Sequence, residues 1–291
     1  MKLKIEWDRF IFDAHLHIGT FGTQENKAGS NFEIFQDREL HNSEDIHNFM
    51  KLHHIEKAIC VPHYTAKPEE SFTKFNPLVL HAVETIPNLF GGLWVNPAQP
   101  SLTSQALSDF YNNDKLKVIK MNPLTWGNTI TPDPKTWPEK FAQSMKEILS
   151  FAKENNLIIQ THTGLGNSSI NKYDPFVDFL GEKLDGLKIH FLHMGGSNAG
   201  HLMFVPRFIN WLNQGYDFYT DTSHTIGYAP WYLIKECKEI CPKGLNRIMF
   251  ASDEPWGIFQ AGLEALKALP LDKTLFQKIL YFNAERLYCK K

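Results

Sequence analysis

Cysteine is scarce in this chain of 291 residues: there are four, Cys60, Cys237, Cys241 and Cys289. So thin a supply excludes a disulfide scaffold and fits a reducing compartment. Cys237 and Cys241 stand four apart in a helical pattern and read as packing thiols, since no His or Cys partner lies near them in the sequence. No apolar run reaches the length of a membrane span, and charges through Met1–Asp8 fall where a signal peptide needs its apolar region. The expected location is cytoplasmic. Excess positive charge is missing too: the net charge is −2, with no Lys/Arg cluster, so neither nucleic acid nor a membrane surface is an expected partner. No Pro/Ser-rich linker divides the chain, and residues 1–291 read as one domain.

What is present is a repeating alternation. With 43% apolar residues and 22 Phe, the chain can fill a large core. Eight short apolar segments recur: 10–19, 58–62, 89–95, 118–121, 157–162, 187–193, 218–221 and 247–253. Several are apolar on both faces, as buried parallel strands are. Helix-start signals lie between them. Ser43-Glu44 precedes Ile46, Phe49 and Met50, and Asn76-Pro77 and Asp174-Pro175 each read as a cap followed by proline. Residues 137–155 carry Phe141, Met145, Ile148, Leu149 and Ala152 at helical spacing. Eight strand–helix units predict an α/β fold, a (β/α)8 TIM barrel. Two connections are long, Thr20 to Asn42 and Leu124 to Thr136. Over a barrel mouth they offer Phe21, Phe32, Phe35, Arg38 and Trp126 as substrate walls or lids, or simply as cover for the barrel end.

Polar residues gather at the ends of these strands. The first closes with His15-Leu16-His17, whose rings share one face by alternation, with Asp13 behind them. The fifth ends at His162, the sixth at His193 and the eighth at Asp253. Alternation groups Ile189, Phe191 and His193 on one face and sends His190 towards the helices; Met249, Ala251 and Asp253 share a face in the same way. Strand ends of a barrel converge on one mouth. Three His sites and a carboxylate there make a metal centre the expected reading. His53, His54, His63, His81, His190 and His201 default to structural or surface roles, and His224 is placed to reach a substrate.

Asp13-Ala14-His15-Leu16-His17, His193-Met194-Gly195-Gly196, Ser252-Asp253-Glu254-Pro255 and Asn283-Ala284-Glu285-Arg286-Leu287-Tyr288 together resemble the amidohydrolase superfamily. Their phrasing is similar to its amidohydrolase-2 branch, the metal-dependent TIM-barrel hydrolases related to aminocarboxymuconate semialdehyde decarboxylase. The resemblance implies that His15, His17, His162 and Asp253 bind one divalent metal, while His193 orients or activates water or polarises the substrate. Zinc suits that donor set, with manganese as the other choice, and Asp253 can pass the water's proton to a leaving group. In binuclear relatives a carboxylated lysine on strand four bridges two metals and the His193 position ligates the second. Lys120 occupies that strand, followed by Asn122 where the branch often has histidine. A mononuclear site is favoured, with Lys120 facing a substrate carboxylate.

The implied activity is hydrolysis of an amide, lactone or ester bond of a small molecule by metal-activated water. The alternative is non-oxidative decarboxylation of a small aromatic or enolic acid, with Lys120, Arg38 or His224 holding the carboxylate. The same ligands serve both. Trp94, Trp126 and Trp256 suit a planar substrate or simple packing equally. A TatD-type nuclease would need a strand-four glutamate, which Lys120 and Asn122 do not supply. A barrel retained only for binding is disfavoured because no ligand position is missing. Barrels of this branch often form homodimers.

Overall fold

The computed structural model describes residues 10–20, 38–63, 68–127, 129–162, 174–182, 186–196, 199–225 and 227–289. Phe21, Phe32 and Phe35, with most of the first long connection, lie outside the described residues. Eight parallel strands run in sequential order: β1 (Ile11–Ile18), β2 (Ile55–Pro62), β3 (Leu89–Trp94), β4 (Leu116–Met121), β5 (Ile158–His162), β6 (Lys188–Leu192), β7 (Phe218–Asp221) and β8 (Ile248–Met249). The chain beyond β8 closes the sheet on β1. Ala14 N donates to Phe250 O at 3.0 Å, Asp253 N to His15 O at 2.8 Å and His17 N to Glu254 O at 2.8 Å. The predicted (β/α)8 barrel is the fold.

A helix follows each strand: α1 (Ser43–Leu52), α2 (Asn76–Thr85), α3 (Pro100–Asp109), α4 (Glu139–Glu154), α5 (Asp174–Glu182), α6 (Ala199–Asn213), α7 (Ala229–Ile240) and α8 (Phe259–Lys267). Two short helices, α9 (Lys273–Gln277) and α10 (Asn283–Tyr288), complete the chain's described part. No described helix is long and apolar enough to cross a membrane.

Two apolar layers hold the barrel. Inside it, Phe12, Ala14, Ile59, Val61, Val118, Ile158, Met249 and Ala251 pack against Tyr281, Ala284, Leu287 and Tyr288 of the C-terminal segment. Outside it, Ile119, Ile159, Ile189, Phe191, Phe218 and Phe250 meet the helices. At β3 the helix and the neighbouring strands come too close for side chains. A Cβ on Gly91 would sit 2.8 Å from Val79 of α2, and one on Gly92 2.7 Å from Val118 of β4.

Three local readings need correction. Helical turns begin at Pro68 and widen through a π-turn (Ser71–Phe75) into α2, so Asn76 is no cap. Its buried amide instead bonds the backbone of Trp94, accepting from N at 2.8 Å and donating to O at 3.2 Å. The cap of α1 is Asn42, whose Oδ1 accepts from Glu44 N and Asp45 N, and α4 begins at Glu139, after Pro138. On β6, Ile189 and Phe191 face the helices while His190 points into the barrel, the reverse of simple alternation carried back from His193. The reason is that His193 lies past the strand end. Left-handed backbone at His193 (φ 60°) and Met194 (φ 48°) turns the chain and returns the His193 ring to the mouth. A register shift between Asp13 and Leu16 does the same on β1, letting Ala14 and then His15 both face inward.

Phe191 packs against Phe218 (ring centroids 4.8 Å apart), Trp211 (5.9 Å) and Phe204 (6.2 Å). Phe191→Ala is expected to cost about 3–5 kcal/mol in equilibrium urea unfolding.

Candidate metal and active site

The turn after β8 sets Asp253 at the centre. Its backbone is left-handed (φ 58°) and its N–H is tied to His15 O, which aims the carboxylate across the mouth. Asp253 Oδ1 lies 3.3 Å from His15 Nε2 and 3.2 Å from His17 Nε2; Oδ2 lies 3.9 Å from His193 Nε2. His193 Nε2 is in turn 3.2 Å from His162 Nε2. All five groups are buried. The structure thus brings together every ligand and acid–base residue expected from the sequence.

Proton bookkeeping shows what this cluster can hold. His17 Nδ1 is 3.1 Å from Pro62 O, and a carbonyl only accepts, so Nδ1 carries the proton and Nε2 presents a lone pair to Asp253. Burial, then the Lys120 charge, pushes the His17 pKa down to about 3. His193 falls to about 4, burial being the largest cause, and His15 and His162 fall well below the ordinary range for the same reason. His15 and His17, as neutral rings, therefore face the Asp253 carboxylate at hydrogen-bond distance, and His17 brings no proton to that contact. A divalent cation satisfies that set, and ligand atoms of His15, His193 and Asp253 all lie within 4.8 Å of one another.

Lys120, at the end of β4, is fully buried, and its Nζ has no hydrogen-bond partner among the described residues. Burial lowers its pKa to about 7, against the opposing pull of Asp253 and Asp221. His224 stands at the rim, half-exposed, with Nδ1 3.9 Å from Asp253 Oδ2. The other two expected contacts are placed differently. Arg38 bonds Glu254 and the Gly257 carbonyl, so its Nη2 clasps the loop after β8. Trp126 is buried among Phe176, Phe141 and Trp137, with centroids 5.0, 5.1 and 5.9 Å away, in the layer outside the barrel.

Three further residues stand at the site: His63, which the sequence reading gives a structural or surface role, and Asp221 and Ser223, which it gives none. His63, just past β2, is buried with its ring 5.3 Å from His17 and 5.5 Å from Trp256. Asp221 ends β7 and, with Ser223, backs His193: Ser223 Oγ is 2.8 Å from His193 Nδ1 and 2.5 Å from Asp221 Oδ1. Burial works to raise the Asp221 pKa, but His190, His193 and Ser223 outweigh it and keep the carboxyl ionised below its usual range. The strand-end rule that selected His162 and Asp253 also covers His63 and Asp221.

The amidohydrolase family model (Amidohydro_2) matches residues 63–289. The match thus begins after the His-x-His strand. No curated protein matches the chain. Among solved structures, a 2,6-dihydroxybenzoate decarboxylase complexed with 2,6-dihydroxybenzoate is similar at a TM-score of 0.71 and 16% identity, covering 96% of this chain and 98% of its own. A dihydroxybenzoic acid decarboxylase from Polaromonas, with bound manganese and the inhibitor 2-nitroresorcinol, gives 0.66 and 17% over 96% and 97%. A probable 2-pyrone-4,6-dicarboxylic acid hydrolase from Acinetobacter baumannii gives 0.62 and 14% over 96% and 98%.

Elemental analysis is expected to find one divalent ion per chain, lost in His15→Ala and kept in Lys120→Ala; double occupancy that collapses in the lysine variant would show a bridged pair instead. A second expectation follows from the buried lysine. The unfolded chain keeps this proton up to 10.5, whereas the folded one sheds it near 7. Metal-free wild type should therefore gain stability relative to Lys120→Met as pH rises from about 7 to about 10, read from urea midpoints.

Proposed function

The chain belongs to the amidohydrolase family, and from that premise we propose that it is a metal-dependent, non-oxidative decarboxylase. Its substrate would be a small aromatic acid with a hydroxyl beside the carboxylate. This reverses the preference for hydrolysis that the motifs alone carry. The observation behind it is Lys120: a buried ammonium without a hydrogen-bond partner among the described residues, beside a cluster that suits a divalent ion. A substrate carboxylate would supply the missing partner. Two of the structural relatives above are decarboxylases of hydroxybenzoates, which supports the same reading.

His15, His17, His162 and Asp253 would hold the ion, zinc by donor type or manganese as in one relative. When bound, it would supply positive charge to the substrate's oxygens. The remaining work falls to side chains. Lys120 binds the carboxylate, and His193 Nε2, which burial keeps unprotonated, accepts the hydroxyl proton. Asp253, whose Oδ2 lies 3.9 Å from His193 Nε2, takes that proton on and delivers it to the ring carbon that carries the carboxylate. The bond to the carboxyl carbon then breaks, CO2 leaves, and the electron pair stays on the ring to restore aromaticity. His224 guards the rim, and Arg38 braces the β8 loop.

Hydrolysis is the second reading, favoured by the likeness to the pyrone hydrolase. There Asp253 would take the proton of water and return it to the leaving oxygen. A panel of hydroxybenzoates, carboxylated methoxyphenols, lactones and N-acyl compounds separates the two when both product and CO2 are followed. CO2 release from a hydroxybenzoate-type acid is expected, with kcat falling about 10²–10⁴-fold in Asp253→Asn. Lactone opening without CO2 would establish the hydrolase.

A further inference from the structure

Beneath the mouth, the barrel interior stops being apolar. Gln160 of β5, His190 of β6, Asp221 and Ser223 at the end of β7, and Tyr288 of α10 form one buried hydrogen-bonded chain. An interior plug needs none of these polar groups, since the layer around them is Phe12, Ala14, Ile158 and Met249. Unpaired, each would be costly to bury. The chain ends on two histidines of the site.

The direction of every bond follows from groups that only accept. Asp221 Oδ1 accepts hydrogen bonds from the Ser223 hydroxyl (2.5 Å) and from the N–H groups of Ser223 (2.9 Å) and His193 (3.3 Å). Ser223 Oγ then has only lone pairs to offer His193 Nδ1 at 2.8 Å, so that nitrogen carries the proton. Asp221 Oδ2 lies 2.8 Å from His190 Nε2, which places the His190 proton there. His190 Nδ1 must then accept, and it does so from Tyr288 OH at 2.6 Å. The tyrosine oxygen accepts from Gln160 Nε2 at 2.9 Å, and the same amide nitrogen donates to Ala14 O at 3.0 Å. That orients the amide. Gln160 Oε1 is left facing His15 Nδ1 at 3.1 Å, and His15 Nδ1 must donate to it.

We propose that Gln160, His190, Asp221, Ser223 and Tyr288 are positioning residues: a polarised network that keeps the ring protons of His15 and His193 on Nδ1 and turns both Nε2 lone pairs towards the centre. Its link to metal affinity rests on the metal reading above; its hold on the tautomers does not. The C-terminal Asn283–Tyr288 phrase thereby acquires a role at the site, although α10 lies at the far end of the barrel interior from the mouth.

The test has two arms on zinc-loaded protein. Long-range 1H–15N correlation of the histidine rings should show His15 and His193 protonated at Nδ1. Asp221→Asn keeps the shape but can donate to Ser223, and is expected to move the His193 proton to Nε2. In the second arm, chelator competition should show Gln160→Leu binding zinc about 10–100-fold more weakly, with Gln160→Glu, which keeps an acceptor for His15, recovering most of the loss. A folded Gln160→Leu with wild-type zinc affinity, or a His193 proton that stays on Nδ1 in Asp221→Asn, overturns the network. Should Gln160→Leu fail to fold, the nearly isosteric Asp221→Asn decides. A wild type that takes up no zinc overturns the metal reading instead, and the His193 tautomer then judges the network alone.

Discussion

Two imidazole lone pairs are held against one carboxylate oxygen, at 3.3 Å from His15 and 3.2 Å from His17, with no proton available to separate them. In water such groups would part or protonate. Here neither escape is open. Burial disfavours the imidazolium, and Pro62 O fixes the His17 proton on the far side of the ring. The backbone bond from Asp253 N to His15 O prevents the carboxylate from swinging away. A folded chain that maintains this conflict stores an affinity for a small, highly charged cation. Much of the mouth can be understood as the means of keeping the three groups in place.

Keeping them there takes backbone that L-residues seldom adopt. His193, Met194, His224 and Asp253 all have positive φ, and all lie at the ends of β6, β7 and β8. Each such residue costs of order 1–3 kcal/mol unless its surroundings enforce it. Enforcement comes from the two apolar layers and from barrel closure, in which the three bonds between β1 and the chain around Asp253 are also the bonds that seat His15 and His17. Closing the barrel and assembling the site are thus one event. Arg38 extends the same logic outward: it joins the chain before α1 to Glu254 and Gly257, next to the central carboxylate.

How far the residues could be read without coordinates depends on how straight the strands are. Where a strand is regular, alternation places side chains correctly, as with Met249, Ala251 and the regular part of β5 that carries Gln160 and His162. His15, His17, His162, His193 and Asp253 can be grouped at one mouth from the sequence because strand ends of a closed barrel converge whatever their local twist. Alternation fails at β6, where a left-handed turn adds a phase change that no pattern of apolar residues records, and so it sends His190 to the wrong face. Arg38 and Trp126 show a different limit. A long loop advertises cations and aromatics, but their partners, Glu254 and the Phe141–Phe176 cluster, come from elements more than a hundred residues away or from the next helices. Asn76 adds a third case: its cap-like sequence is overridden by helical turns that already run through it.

The charges in the mouth bear on the choice of chemistry more than the ligands do. In the proposed reading, three neutral rings and a carboxylate around a divalent ion would carry a net charge of +1; the ionised Asp221 behind His193 would cancel it, and a protonated Lys120 would restore +1 inside a buried wall. A neutral amide or simple ester would leave that excess uncompensated. An aromatic acid whose hydroxyl proton stays on His193 would bring one net negative charge, its carboxylate, so binding it would remove that excess. Loss of neutral CO2 would leave the lysine without its carboxylate partner again, which would favour release of the product over retention. A lactone with two carboxylates would overshoot that balance on entry, and ring opening would add a further carboxylate. On charge accounting alone, the proposed site would suit a reaction that consumes a carboxylate better than one that makes one.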